Sequence, residues 1–372
     1  MSHPSARPLR LARMRAQRLT DATRLRPDPA AITRAICAVQ AQSFDAARHQ
    51  LRVRSVGLTA GAVDRAFEQE RAVVRTWLMR GTLHLCAADD LRWMLSVLGP
   101  NSNRLAASRR VGLGLDDATC QRGVEVLRKA LAHGPLARRQ LRERLVASRV
   151  INEPVGQVLI HLLFHAATLG VICSGPRMGR DDSFVMLDDW VPASDGPRGE
   201  TALVELARRY LAAYGPASVA DFAAWSGLPS DLAKAGMAGV GAGMVGFPGP
   251  IPGLWTLGPV APEPRSSRPV VRLLGHFDTF LLGYRRREHV GDAAAEAWIH
   301  QGAGGWIRPV ICVDGWIVAG WRLDASGSGF ELTVIPFVAL SGRVEAGIDR
   351  EVVSISQFLE RPVRWTSEAL VG

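Results

Sequence analysis

Lysine is almost missing from this 372-residue chain: Lys129 and Lys234 stand alone, although Lys and Arg together number 45. Chemistry that runs through a Schiff base needs an amine, so it is restricted to two side chains, both in helix-like segments. Long apolar runs are absent too. No stretch reaches the roughly 18 residues of a membrane-spanning helix. The opening "MSHPSARPLRLARMRAQRL" has no apolar core of a secretory leader, so a cytoplasmic protein is expected. The five cysteines (Cys37, Cys86, Cys120, Cys173, Cys312) are odd in number, far apart and set among apolar residues, which argues against a disulfide framework or a zinc site. His161 and His165 share a helix face, but no Glu follows the first and no third ligand is near. They read as buried or capping histidines, and no metal or cofactor is expected.

Positive charge is abundant. Lys and Arg outnumber Asp and Glu by 45 to 35, a net charge of +10 that is nearly all guanidinium. A GC-rich genome explains arginine in place of lysine but not the excess itself. A phosphate-rich partner does, so nucleic-acid binding is the leading expectation. With 47% apolar and 22% charged residues the composition is that of a soluble globular protein, and the length suggests two to four compact units.

The middle of the chain is the most readable. Residues 116–134, 135–148 and 153–170 read as three helices, the first and third stopped by Gly134 and Gly170 and the short second one opened by Pro135. Residues 171–187 then alternate apolar and polar on both sides of a Gly/Pro/Arg turn, which is a hairpin. Three helices followed by a two-stranded wing is the winged-helix order, and Arg177 and Arg180 at the wing tip are placed to touch phosphate. The pattern recurs at 200–257 and, upstream, at 9–87, where "AVVRTWLMRGTLHLCA" forms a hairpin turning at Gly81. From about residue 262 the chain changes to β-branched and aromatic runs. Asp314-Gly315 between two apolar strands is a strong hairpin signal, and 350–360 reads as a closing helix. The expected fold is α+β: three tandem winged-helix units (1–115, 116–192, 193–261) followed by a small C-terminal β-barrel (262–372).

One stretch in the first unit, "AICAVQAQSFDAAR" at 35–48, sets Gln40 and Gln42 one residue apart in a small, apolar run. Neither amide titrates near neutral pH. They either cap the end of a helix or present two neutral dipoles to a ligand. In an extended segment both would face one side, whereas in a helix they would point about 200° apart, so the helix is expected to unwind near Gln42.

"VQAQ" (39–42), "RTWLMRGTLHL" (75–85), "LLGHFDTFLLGYRRRE" (273–288) and "RPVICVDGWIVAGWR" (308–322), in that order and spacing, resemble the AlkZ/YcaQ-type family of winged-helix DNA glycosylases, over about residues 10–365. The resemblance implies three winged helices and a C-terminal barrel, a monomer, and double-stranded DNA carrying alkylated purines as partner. It also implies a catalytic Q-x-Q of the AlkZ-like branch at Gln40 and Gln42; the YcaQ-like branch has Q-x-D. That branch is associated with removing bulky N7-guanine adducts and unhooking interstrand crosslinks, often as self-resistance to a genotoxic natural product. An N7-alkylated purine is already cationic, so its base leaves without a strong general acid; the enzyme has only to stabilise an oxocarbenium-like sugar and hold a water. A glutamine oxygen does both without adding negative charge among phosphates. Gln40→Ala and Gln42→Ala are accordingly expected to fold and bind DNA but to lose base release. With so few lysines, a monofunctional enzyme is expected.

The resemblance makes the hairpin around Asp314-Gly315 a DNA-contacting element, with Arg308, Trp316, Trp321 and Arg322 as its candidates. Trp316 stands where many members have a basic residue, which suggests an aromatic wedge. Trp321 is open to two readings, a buried barrel aromatic or a DNA contact. Arg285, Arg286 and Arg287 form either a solvated face or a phosphate contact. Arg80 and His84 either hold the first wing together or position water beside Gln40. The rival from another class is a winged-helix transcriptional regulator that binds DNA without catalysis.

Overall fold

The computed structural model describes residues 6–152, 156–179, 181–249, 251–260, 268–301 and 305–369. After helix α1 (Arg7–Ala16) comes α2 (Pro29–Ala35), started by the Asp28 carboxylate, which accepts from the Ala31 N–H at 3.0 Å. α2 stops abruptly. Cys37 and Ala38 take φ of 53° and 80°, a left-handed pair that costs non-glycine residues about 1–3 kcal/mol each. Both are buried, and the Tyr214 hydroxyl donates to the Ile36 carbonyl at 3.1 Å, so packing holds the reversal. The chain emerges extended as β1 (Val39–Gln40), then enters α3 (Phe44–Val53) and α4 (Ala60–Glu68), capped by Ser43 and Thr59. β2 (Val73–Trp77) and β3 (Leu83–Ala87) form a hairpin, and β1 pairs with β3 to give the order β1-β3-β2. The helix thus ends at Ala35, well before Gln42.

The long α5 (Ala88–Gly112) leads to α6 (Asp117–Leu131), β4 (Leu136–Ala137), α7 (Arg138–Ala147), α8 (Gly156–Thr168), β5 (Ile172–Ser174) and β6 (Ser183–Met186), with sheet order β4-β6-β5. This repeats the first unit: helix, strand, two helices, two strands, with the first strand paired to the last. After α9 (Leu187–Trp190) the order comes a third time. α10 (Gly199–Tyr214) is followed by a bridge at Ala217, α11 (Val219–Ser226), α12 (Ser230–Val240), β7 (Met244–Gly246) and β8 (Trp255–Leu257), and Ala217 bridges Trp255 of β8.

The last part holds β9 (Val271–Leu274), α13 (Thr279–Leu282), α14 (Ala293–Ile299), β10 (Val310–Val313), β11 (Trp316–Ser326), β12 (Gly329–Pro336), α15 (Gly342–Leu359) and β13 (Val363–Ser367). The expected barrel is not formed. Among the described residues the sheet is open, in the order β13-β12-β11-β10-β9. It has no need to close, because helices cover both faces: Ile348, Val352 and Ile355 of α15 on one, and Leu11, Met14, Phe280 and Trp298 on the other. Asp314-Gly315 does form the β10–β11 turn, at φ of 49° and 76°. That turn is packed rather than projecting: a Cβ on Gly315 would lie 2.9 Å from Arg10 Cβ, and Arg7 Nη2 donates to Asp314 at 2.9 Å.

Two buried ion pairs tie the end of α3 to α15 and to the loop after β9. Arg52 reaches Glu351 at 3.0 Å, and the fully buried Arg54 grips Asp278 through two bonds of 2.7 and 2.9 Å. The sharp turn from helix to strand and these ties fix where the Q-x-Q segment lies.

Candidate active site

Gln40 pairs with His84 across β1 and β3, and His84 pairs with Thr76 across β3 and β2. The three side chains therefore form one cross-strand row on a single sheet face. Ala41, next along, is buried in the first unit's core, and its N–H donates to Leu83 O at 2.7 Å. Gln40 is 6% exposed, which looks like simple packing until its bonds are followed. Arg80 Nη2 donates to Gln40 Oε1 at 2.9 Å. A guanidinium has only donors, so the amide oxygen must face it, and Gln40 Nε2 is left as a donor with no protein partner among the described residues. Arg80 holds this pose from a left-handed backbone (φ 56°), with Nη1 anchored on the Trp225 carbonyl.

Gln42 is only half-buried, but its Oε1 is shielded from solvent and accepts no hydrogen bond. Buried acceptors are nearly always satisfied, so this one is costly unless a ligand fills it. Its backbone is held instead: Arg75 Nε donates to Ala41 O at 2.9 Å, and Arg75 Nη2 to Gln42 O at 3.4 Å. Arg75 is itself fixed by Asp182 at 2.8 Å. Thr76 Oγ1 is likewise buried without a partner.

His84 Nδ1 lies 2.8 Å from the Thr82 carbonyl, which can only accept, so Nδ1 carries the hydrogen and Nε2 presents a lone pair. Burial, reinforced by the Arg80 charge, pushes its pKa down to about 3. His49, half-buried beside Arg52, is lowered to about 3 by desolvation and the Arg52 charge. No carboxylate bonds either glutamine or His84 among the described residues. The row offers an acceptor at His84 and a donor at Gln40, and Gln42, two residues past Gln40, adds a second unsatisfied acceptor, all neutral.

The two depressed histidines set an acid sensitivity. Below an ordinary histidine pKa of 6.5 the unfolded chain takes up protons that the folded chain refuses. Stability is therefore full above that pH and falls as pH drops toward 3, by up to about 1.4 kcal/mol per pH unit for each histidine. Urea midpoints at pH 7, 6 and 5 should decline in that order, and His84→Asn should flatten the decline; a constant midpoint contradicts the assignment.

Most of the expected DNA contacts are engaged elsewhere. Arg177 is bound by Asp64 at 3.0 Å and Glu68 at 2.8 Å, so it braces the second unit on α4. Arg180 lies outside the described residues. Trp321 is 5% exposed, with Nε1 donating to the Leu274 and Val310 carbonyls, and is a core residue. Trp316 is half-buried, with Arg10 5.3 Å from its ring. It lies at the start of β11, beside the packed turn. Arg322 pairs with Glu368 at 3.0 Å, Arg286 with Glu288 at 3.2 Å, and Arg287 with Glu296 at 3.2 Å. Arg308 stacks on Trp298 at 3.4 Å and bonds Gln301. Arg285 keeps an exposed side chain with no partner among the described residues and stays available for phosphate.

Other residues near the site escape a sequence reading. Gln50 Nε2 donates to the Gln40 carbonyl at 2.8 Å and lies 3.5 Å from the His276 carbonyl, bracing β1 against the loop after β9. Against that loop packs Trp306, from the segment between α14 and β10, 38% exposed, its Nε1 2.8 Å from His276 Nδ1 and its ring edge-on to Phe277. Nothing local marks it beyond an aromatic after glycines. Arg343 and Arg350, two turns apart on α15, line a concavity of about 410 Å³ with Arg268; their seven-residue spacing was the available signal.

Residues 33–358 match the model of a family described as AlkZ-like DNA glycosylases. The chain is 27% identical over 365 residues to an interstrand DNA cross-link repair glycosylase of Streptomyces sahachiroi, covering 92% of this chain and 94% of that protein. It also matches the solved structure of the Streptomyces sahachiroi DNA glycosylase AlkZ with a TM-score of 0.79 at 25% identity, over 98% of this chain and 100% of the other.

Proposed function

The chain belongs to the AlkZ-like DNA glycosylase family, and from that premise we propose that it hydrolyses the N-glycosidic bond of bulky N7-alkylguanine in double-stranded DNA, including adducts that crosslink the two strands. Its setting is self-resistance to a genotoxic natural product. The single observation that carries the site assignment is the shielded, partnerless Gln42 Oε1. The C1′–N9 bond breaks with its electron pair moving to N9, which cancels the positive charge on the alkylated base. The base leaves neutral, and no acid is required. Positive charge then grows on the sugar, toward which the Gln42 carbonyl dipole is directed. A water donating one hydrogen to Gln42 Oε1 and the other to His84 Nε2 has its lone pair free for C1′, and the released proton passes to solvent. Gln40 Nε2, aimed by Arg80, is the donor for an acceptor on the departing base or its sugar.

The three repeated helix-strand-helix-helix-strand-strand units are proposed as winged helices, and the protein as a monomer on DNA. A base tied to both strands cannot swing freely into a closed pocket, so the lesion is met in an open cleft. Arg285 and the Arg343/Arg350 concavity supply phosphate contacts, and Trp306 a stacking surface.

Duplex containing N7-methylguanine, incubated with the protein and then heated in alkali, tests the reading. Scission at the lesion is expected; unmodified DNA bound in a sequence-dependent way with no scission favours the regulator. The enzyme is proposed to be monofunctional, because Lys129 on α6 and Lys234 on α12 are exposed and far along the chain from the glutamine strand. Borohydride should therefore trap no protein–DNA adduct, and a trapped adduct that persists when the N-terminal amine is blocked contradicts this.

A further inference from the structure

We propose that a cavity bounded by Arg80 is a subsite for a flat, largely apolar appendage on the adduct, so that bulk is read there while the glycosidic bond is cut at Gln42. The inference rests on the glycosylase reading. The cavity, about 350 Å³, lies where the β2–β3 turn meets α5, α8 and the end of α11, and is of ligand-pocket size. Its floor is aromatic: Trp77 and Phe164 meet edge to face, ring centres 6.0 Å apart. At its rim Leu105 of α5 and Ile160 of α8 stand 62% and 46% exposed. An aromatic floor with aliphatic rims left in water is a surface that gains from being covered.

The polar lining is sparse and specific. His161 Nδ1 is shielded from solvent yet has no hydrogen-bond partner, while the nearby Asn101 amide is already used on the Gly227 carbonyl at 2.8 Å. Burial and the neighbouring Arg109 and Arg110 keep His161 toward its neutral form. The cavity thus suits a ring system with one hydrogen-bonding heteroatom better than an unmodified nucleobase, whose polar edges would go unpaired.

Arg80 links this cavity to the chemistry. Its residue lines the wall, and its guanidinium orients Gln40 at 2.9 Å. An occupant of the cavity is one arginine side chain away from the catalytic carboxamides.

Leu105→Trp and Ile160→Trp fill the mouth from exposed positions outside the catalytic row. Each is to be compared with wild type on two duplexes, one with N7-methylguanine and one with N7-(2-quinolylmethyl)guanine. The expected result is at least a ten-fold fall in kcat/KM for the quinolyl adduct in either variant, with N7-methylguanine excision within two-fold of wild type. Equal losses on both duplexes, or no loss on either, overturn the subsite and leave the glycosylase reading standing. Wild-type protein that excises neither base defeats that reading, and the subsite with it. Tight binding of free 2-methylquinoline, abolished by both variants, without any effect on excision, also overturns the subsite in favour of sequestration of the free compound.

Discussion

Replacing Gln42 by leucine will lower base release from N7-alkylguanine duplex by about 10²–10³-fold, the usual effect of removing one preorganised dipole at a charge-developing centre. Leucine keeps the bulk and removes an acceptor that no protein group satisfies, so thermal stability should stay the same or rise slightly, and duplex affinity should hold within two-fold. Single-turnover excision, gel-shift affinity and Tm on the same preparation decide the matter. Near-wild-type excision by a folded Gln42→Leu protein would remove Gln42 from the mechanism. Gln40→Leu should behave differently from the uniform outcome that the sequence suggests. It leaves the Arg80 Nη2 donor unpaired in a desolvated setting, so it should cost about 1–3 kcal/mol of stability as well as activity. The contrast between the two variants separates a residue that meets the lesion from one that is also part of the scaffold.

Arg54→Met should be the most destabilising single change near the site. Arg54 and Asp278 are fully buried and joined twice, at 2.7 and 2.9 Å, and Arg54 also donates to Gln17 Oε1 at 3.1 Å and Thr279 Oγ1 at 2.8 Å. Removing it leaves an uncompensated buried carboxylate, a loss of about 3–5 kcal/mol. The urea midpoint should fall accordingly, and activity with it, since Arg54 also holds the carbonyl of Gln50, the residue that braces the Gln40 strand. The double variant Arg54→Met/Asp278→Leu removes both charges and should recover part of the loss. A double variant no more stable than the single one would mean that the hydrogen-bond network, not the stranded charge, carries the cost.

The Arg54–Asp278 pair also explains one of the motifs behind the family resemblance. "GHFDTF" contributes Asp278 and Thr279 to Arg54, the His276 carbonyl to Gln50, and Phe280 to the core beneath the β10–β11 turn. Within these four residues its role is to dock the last sheet on α3, which no reading of the motif by itself discloses.

What was legible in the sequence was local. Asp314-Gly315 announces its turn because few residue pairs accept two positive φ values, and the helices at 117–131 and 156–168 announce themselves by periodicity and stop signals. The Q-x-Q spacing pointed to the candidate site because two amides in an apolar run are conspicuous. The strand at Gln40 was not legible, since it depends on a left-handed pair, Cys37 and Ala38, held by packing from α10. α3 and α5 were missed outright, α5 because it is apolar on several sides and contains Pro100.

The sequence by itself determined the chemistry available to this protein: a surplus of guanidinium, two lysines, and paired neutral amides in place of carboxylates. The tertiary structure alone decided which of those groups are free to act. Arg177 is neutralised by acids more than a hundred residues away, Trp321 is buried under a helix, the sheet stays open because both faces are covered, and one glutamine oxygen of two is spoken for by Arg80. Partnering of this kind is set by contacts between distant segments, and a side chain's type does not reveal whether a distant charge has already claimed it.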